Sequence, residues 1–141
     1  MKILVPVDGS PPALRAVRLA IRMVREEPGS AIALVNVQNT GTIEFGDLSA
    51  STPALLQQRV LREGDQALRK ATALCKAAKV KFSADVEIGP IAETAIGLGK
   101  KKRVGHIVMG TRGLGGVRGL LLGSVATQII HLAKVPVTLV K

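Results

Sequence analysis

Lys2-Ile3-Leu4-Val5-Pro6-Val7-Asp8-Gly9-Ser10-Pro11 opens the chain and holds the key to its fold. The apolar run 2–7 reads as a short buried strand, and Pro6-Val7-Asp8-Gly9 reads as its exit. Ser10 has the chemistry of a helix N-cap, and Pro11 suits the first helical position because its missing N–H would be unpaired there anyway. Beyond it, Ala13, Ala16, Val17, Ala20 and Val24 recur at helical spacing, while Arg15, Arg18, Arg22 and Arg25 fall on another face. Such an arginine stripe can bind phosphates, but a solvated helix face explains it more simply. The opening is therefore strand, loop, helix.

Working outward, the same pattern repeats. Residues 27–30 (Glu27-Pro28-Gly29-Ser30) form a turn signal, and 31–37 a second buried strand. Residues 38–52, rich in Thr, Gly and Ser, make the longest expected loop, which could partly cover a site. A helix is expected over 53–79, with Leu56, Val60, Ala67, Ala71, Leu74 and Ala78 on one side and Gly64 as a weak point or kink. Residues 81–88 alternate as Phe82, Ala84, Val86 and Ile88, which suits a strand near a sheet edge. A short helix over 90–99, a strand over 104–109, a glycine-rich loop over 110–122, a helix over 124–133 and a strand over 136–140 complete the chain. Alternating strands and helices imply βαβ units around a parallel sheet. In such open sheets, ligands bind beyond the carboxyl ends of the strands, where the strand order reverses. Asp8 and Gly110 both stand just past strand ends, so they face one crevice if the first and fourth strands are neighbours at the reversal.

Composition limits the alternatives. With 141 residues, 47% of them hydrophobic and 21% charged, the chain is expected to form one domain over 1–141 with a real core. No stretch approaches the roughly 18 apolar residues of a membrane-spanning helix. Pro6 and Asp8 cut the first apolar run too short for a signal-peptide core. The single cysteine, Cys75, cannot form an internal disulfide, which fits a soluble protein of the reducing cytoplasm.

Charge is unevenly distributed. The net charge is +10, yet every acid lies at or before Glu93; from residue 94 onward there are only bases, including Lys100-Lys101-Lys102-Arg103, Arg112 and Arg118. That third should attract anions. Against a single-stranded nucleic-acid module stands the near absence of aromatic side chains: two Phe, no Trp and no Tyr.

The stretch Gly110-Thr111-Arg112-Gly113-Leu114-Gly115-Gly116-Val117-Arg118-Gly119-Leu120-Leu121-Leu122-Gly123-Ser124 carries the chemistry. It joins a strand to a helix, so its amides and those of the helix start can converge on an anion. Glycine is required where backbone approaches phosphate without a Cβ. Ser124 adds a hydroxyl, and Arg112 and Arg118 add charge. A loop whose glycines merely make turns is the alternative; the strand before, helix after and lack of acids favour phosphate binding. Two familiar nucleotide motifs are not satisfied. The P-loop pattern around Gly99-Lys100 has Thr94 at the required glycine and Lys101 in place of Ser or Thr. The dinucleotide pattern begun at Gly113-Leu114-Gly115 ends on Arg118.

Gly110-x2-Gly113-x9-Gly123-Ser124 resembles the G-2x-G-9x-G-[S/T] motif of the ATP-binding branch of the universal stress protein family. The resemblance covers essentially the whole chain, including Ile3 to Ser10, Gly89 to Glu93, Ile107 to Gly113, Leu121 to Ala126 and Val135-Pro136-Val137. It implies an α/β fold with an open five-stranded parallel sheet of order 3-2-1-4-5, helices on both faces, and a dimer through the last strand. It also implies roles. Asp8 would contact the ribose or organise the metal–phosphate end. Val37 would meet adenine through its backbone, with Pro6 and Val7 packing nearby. Met109 and Gly110 would contact the nucleoside, and Arg112, Gly113, Gly123, Ser124 and Val125 would hold the phosphates. The chain departs from the family's habit at Gly105, where an acid is common, at Val135, where Cys is common, and in the weight of its Lys100–Arg103 cluster.

The expected function is ATP binding by a nucleotide-dependent stress-response or signalling module, with Mg2+ arriving on the triphosphate and at most slow hydrolysis. Asp8 is the only acid near the proposed site, so no catalytic residue is assigned. Asp8-Gly9-Ser10-Pro11 also reads as a simple turn before a helix. His106 and His131 read as structural, and no Cys/His cluster offers a metal site. A homodimer is expected because the short apolar final strand would otherwise be an exposed edge. The alternatives are nucleic-acid or polyanion binding through the basic last third, and an ATPase completed by a partner.

Overall fold

The first strand, β1 (Lys2–Pro6), buries Ile3, Leu4 and Val5 completely. Period-two alternation sends Ile3, Val5 and Val7 to one face of the sheet and Leu4 to the other. The computed structural model describes residues 1–39, 53–114, 119 and 121–141. The order of elements is β1, α1 (Pro11–Glu26), β2 (Ala31–Gln38), α2 (Pro53–Ala78), β3 (Phe82–Ile88), α3 (Ile91–Lys101), β4 (His106–Gly110), α4 (Ser124–Leu132) and β5 (Val137–Val140). Boundaries agree with the sequence reading to within a residue or two. Part of the expected long loop, residues 40–52, and Gly115, Gly116, Val117, Arg118 and Leu120 of the glycine loop lie outside the described residues.

The five strands form one sheet in the expected order β3-β2-β1-β4-β5, every pairing parallel. Lys2 faces Ala31 and Pro6 faces Val35 on one side of β1, while Ile3 faces His106 on the other. Helices cover both faces. One core joins Ile3, Val5, Ile32, Leu34 and Val108 to the apolar stripes of α1 and α2. The second joins Leu4, Ala33, Val35, Ile107 and Met109 to α3 and α4. Each fully buried aliphatic side chain contributes about 1.5–3 kcal/mol, so both faces hold the sheet strongly. Among the described residues, no helix is long and apolar enough to cross a membrane.

Two local expectations need correction. The buried line of α2 is Val60, Gly64, Leu68, Ala71 and Cys75, whereas Leu56, Ala67, Leu74 and Ala78 are only half-buried. Gly64 does not break the helix. It is buried against β3, where a Cβ would run into the Val86 side chain, so close packing and not flexibility explains it. In β3, Phe82 and Val86 pack on the core but Ala84 and Ile88 are exposed.

Helices α2 and α3 end alike. In α2, the Lys79 amide donates to the Lys76 carbonyl and the Val80 amide to Cys75; in α3, Arg103 donates to Lys100 and Val104 to Gly99. These are Schellman closures, and their left-handed residues are Lys79 and Arg103, both at φ 56°.

Candidate functional site

Strand order reverses between β1 and β4: the chain leaves β1 towards β2 and leaves β4 towards β5. The loops after β1 and β4 therefore diverge and leave a crevice at the carboxyl edge. A cavity of about 400 Å³ occupies it. All eleven residues singled out from the sequence line this cavity: Pro6, Val7, Asp8, Val37, Met109, Gly110, Arg112, Gly113, Gly123, Ser124 and Val125. They come from four separate stretches that only the parallel sheet brings together. Arg118 lies outside the described residues.

The β1 side is rigidly built. The Val7 amide donates to the Val35 carbonyl at 2.8 Å, extending the β1–β2 ladder one step. The Val7 carbonyl accepts from Asn36 Nδ2 at 2.8 Å, and Gln38 Nε2 donates to Asn36 Oδ1 at 2.6 Å. Asp8 then spans the crevice. Its Oδ1 accepts from the Ser10 amide at 2.9 Å, and its Oδ2 from the Leu114 amide at 3.0 Å. The first bond folds the turn into α1; the second ties the glycine loop to that turn. Gly9, at φ 85°, supplies the left-handed step between them. The Ser10 hydroxyl, 2% exposed, caps α1 by accepting from the Ala13 amide at 3.3 Å.

The β4 side is shaped by glycines. A Cβ at Gly110 would stand 2.8 Å from Pro12 Cβ, so Gly110 lets β4 pass the start of α1. A Cβ at Gly113 would collide with the Asp8 carboxylate. Gly110 is thus required by the protein itself, whereas a side chain at Gly113 would displace the Asp8 carboxylate from its two amides. Gly123 differs: its φ of −74° suits any residue, and an added Cβ would meet protein atoms only at ordinary contact distances of 3.5 Å and beyond. Its amide donates to the Thr111 carbonyl at 2.7 Å, which draws together the two ends of the glycine loop. Gly123 is also the N-cap of α4 and offers no side chain to the helix's first amides. Those of Ser124, Val125 and Ala126 precede the first intrahelical bond, donated by Thr127 to Gly123.

The walls divide by chemistry. Val37, Ile91, Met109, Val125 and Ala126 make an apolar side. The α4 N-terminus, the Ser124 hydroxyl and Arg112 make a side suited to anions. Among the described residues, Arg112 is the one basic lining residue and Asp8 the one acidic one. Such a cavity fits a ligand with a flat apolar part and a negatively charged tail. Among the described residues no group of three His, Cys, Asp or Glu could hold a metal. His106 lies elsewhere: its Nε2 is 2.7 Å from Thr138 Oγ1, joining β4 to β5.

Sequence reasoning missed Ser10, Ala13, Val35, Asn36, Ile91, Thr111, Leu114 and Ala126 as lining residues. Asn36 had a legible signal. A polar residue inside the run Ala31–Val37 must satisfy its amide somewhere, and it does so on the Val7 carbonyl. Ile91 and Leu114 lie in stretches the sequence reading singles out, Gly89 to Glu93 and the glycine loop, but only tertiary placement brings the two side chains to the crevice.

The model of the universal stress protein family matches residues 1–141. Universal stress protein MJ0531 of Methanocaldococcus jannaschii is 32% identical over 140 residues, covering 99% of this chain and 81% of the relative. Among solved structures, that of the protein MJ0577 is similar with a TM-score of 0.85 at 22% identity, covering 99% of this chain and 94% of the other. The universal stress protein of Archaeoglobus fulgidus in complex with dAMP is similar with a TM-score of 0.71 at 21% identity, covering 100% of this chain and 98% of the other. A family match along the full length, together with a relative almost a third identical over nearly all of it, establishes that the chain belongs to the universal stress protein family.

Proposed function

We propose that the chain is a single nucleotide-binding domain that takes ATP, or a closely related adenine nucleotide, into the cavity between β1 and β4 and works as a nucleotide-dependent stress-response or signalling module. The observation that carries this is the joining of an apolar slot to the open N-terminus of α4 in one cavity. The dAMP complex of the Archaeoglobus fulgidus protein, which has the same fold, supports it.

In this reading the base lies against Pro6, Val7 and the end of β2 at Val37. Met109 and Gly110 meet the nucleoside, and Asp8 faces the ribose or the metal–phosphate end. Arg112, Gly113, Gly123, Ser124 and Val125 hold the phosphates through amides, one hydroxyl and one guanidinium. Gly123 supports the assignment because the protein's own packing does not demand a glycine there, whereas a phosphate approaching the backbone does. Mg2+ would arrive with the nucleotide. A single carboxylate suits an ion already ligated by phosphate and water, not a resident metal. With Asp8 held by two amides and no second base among the described lining residues, hydrolysis is expected to be at most slow.

The protein acts as a homodimer in the cytoplasm. The half-buried strand β5 pairs with β4 on one side, and a second copy would cover its other side. Sedimentation at micromolar concentration should give the dimer mass; a monomer would refute this assignment. Calorimetric titration with Mg-ATP, and in parallel with GTP, tests the central claim. Saturable one-to-one ATP binding by folded, nucleotide-free protein is expected, and its absence would sink the site.

A further inference from the structure

The opposite edge of the sheet, where the strands begin, has a different chemistry. Because every strand is parallel, every helix also ends there. Helix α1 carries Arg25 in its last turn before Glu26 and the cap Glu27, α2 carries Lys76 with Lys79 just beyond its end, and α3 carries Lys100 and Lys101 with Arg103 just beyond. Lys2 and Lys81 stand at the starts of β1 and β3, and Lys134 precedes β5. All of these are exposed. Hydrogen bonds knit the edge together: Lys2 Nζ donates to the Lys102 carbonyl at 3.1 Å, and Arg25 Nη2 donates to the Ala78 carbonyl at 3.1 Å. Few acids oppose this charge. Glu27 lies 3.4 Å from the chain's own amino group, Lys102 engages Asp85 at 2.6 Å, and Glu26 is the remaining carboxylate nearby.

The helix dipole accounts for bases inside the last turns of α2 and α3. It also favours a cation at Lys79 and at Arg103, one and two residues past their helices. Each occupies a left-handed Schellman position at φ 56°, where a side chain is strained and glycine is the favoured residue. These two are the non-glycine residues with positive φ among those described, both are cationic, and both lie on this edge. The strain applies to any side chain with a Cβ and is indifferent to charge; what these two positions add to the edge is an exposed cation each.

We propose that this edge is a docking surface for the phosphate backbone of double-stranded nucleic acid, bound without regard to sequence. Five strands about 4.8 Å apart spread the bases over about 20 Å, along which a duplex presents about a dozen charges. Single strands are disfavoured because, among the described residues, no aromatic side chain is offered for stacking: Phe82 packs on the core. A lipid surface is disfavoured because, among the described residues, the exposed large hydrophobics near this edge amount to Met1 and Leu132, each only about two-fifths exposed, too little to anchor.

The test is fluorescence anisotropy with a labelled 20-base-pair DNA duplex of arbitrary sequence, from 50 to 200 mM KCl. Binding should weaken steeply with salt, with a logarithmic slope of about −5, corresponding to about six phosphate contacts, and be unchanged for an unrelated duplex. Lys79→Gly with Arg103→Gly should make that slope shallower by about two while raising Tm by a few degrees, because both left-handed positions are relieved. Loss of binding in that variant therefore cannot be misfolding. Arg18→Gln with Arg62→Gln, which removes equal charge from helix faces away from the edge, should leave the slope unchanged. Absence of binding at 50 mM KCl overturns the proposal, as does an unchanged slope in the double-glycine variant. Binding to phosphatidylserine vesicles without binding to the duplex overturns it too and makes the edge a membrane surface.

Discussion

The two edges of the sheet use glycine in opposite ways. At the carboxyl edge, Gly110, Gly113 and Gly123 remove side chains around the cavity; at the amino edge, Lys79 and Arg103 keep side chains where glycine would be easier. Around the cavity Gly110 makes room for the start of α1 and Gly123 leaves backbone bare with no packing reason, whereas at the amino edge two exposed cations stand on left-handed backbone. Gly64 shows that packing sets a third requirement, since it is buried under Val86 and touches neither edge chemistry. A glycine in this chain therefore has to be read with its surroundings before it counts as evidence for a ligand.

The largest expected effect breaks the carboxyl edge. Gly113→Val drives a branched side chain into the Asp8 carboxylate, and Mg-ATP affinity should fall at least about a hundredfold by calorimetry, a loss of about 2.7 kcal/mol. ATP binding undiminished in folded variant protein would remove the loop from the site. Asp8→Ala leaves the Ser10 and Leu114 amides without their acceptor. It should lower unfolding stability by about 1 kcal/mol and weaken Mg-ATP about tenfold. Equal loss for adenosine and for ATP would move Asp8 from the phosphate end to the ribose.

Gly123→Ser sharpens the contrast further. Serine is at least as good an N-cap, and its Cβ has room in the protein, so denaturant midpoints should shift by only a few tenths of a kcal/mol. Nucleotide affinity should nevertheless drop about tenfold if backbone meets phosphate there. At the amino edge, Lys79→Gly alone should stabilise the fold by about 1 kcal/mol in urea titration. A destabilised variant would mean that the lysine side chain has a packing role.

One prediction concerns the interior near that edge. Burial pushes the Cys75 thiol from 9.0 up to about 11. The folded state therefore holds its proton longer than the unfolded state does. The stability this represents is whole below pH 9 and is lost as pH rises towards 11, by up to about 2–3 kcal/mol. Cys75→Ala, despite its small cavity, should lack this component when its alkaline unfolding curve is compared with that of the unaltered chain. No difference between the two curves above pH 9 would place the thiol in contact with water.

Much of the site was legible because its marks are local. The run from Lys2 to Pro11 states strand, turn and N-cap within ten residues, and the Gly110–Ser124 spacing states a strand-to-helix loop with bare backbone. Other features were not local. The buried face of α2 was misjudged at Ala67 and Leu74, because which helical stripe meets the sheet depends on how α1 and β3 share the space beneath it. Gly64 read as a flaw because its partner, Val86, is distant in sequence. The basic third of the chain read as one anion-attracting unit, but the fold divides it. Arg112 goes to the cavity edge, while Lys100, Lys101 and Arg103 join Lys2, Lys79 and Lys81 at the opposite one.

The sequence by itself determined the alternation of elements, the apolar strands and the glycine loop, because periodicity, capping and φ preferences act over a few residues. Tertiary structure decided that Asp8 holds the Leu114 amide, that Asn36 fastens the Val7 carbonyl, and that bases scattered from Lys2 to Lys134 share one edge. The physical reason is that a parallel sheet aligns the ends of elements remote in the chain. Contacts and fields made at those ends depend on distance in space, which no local pattern encodes.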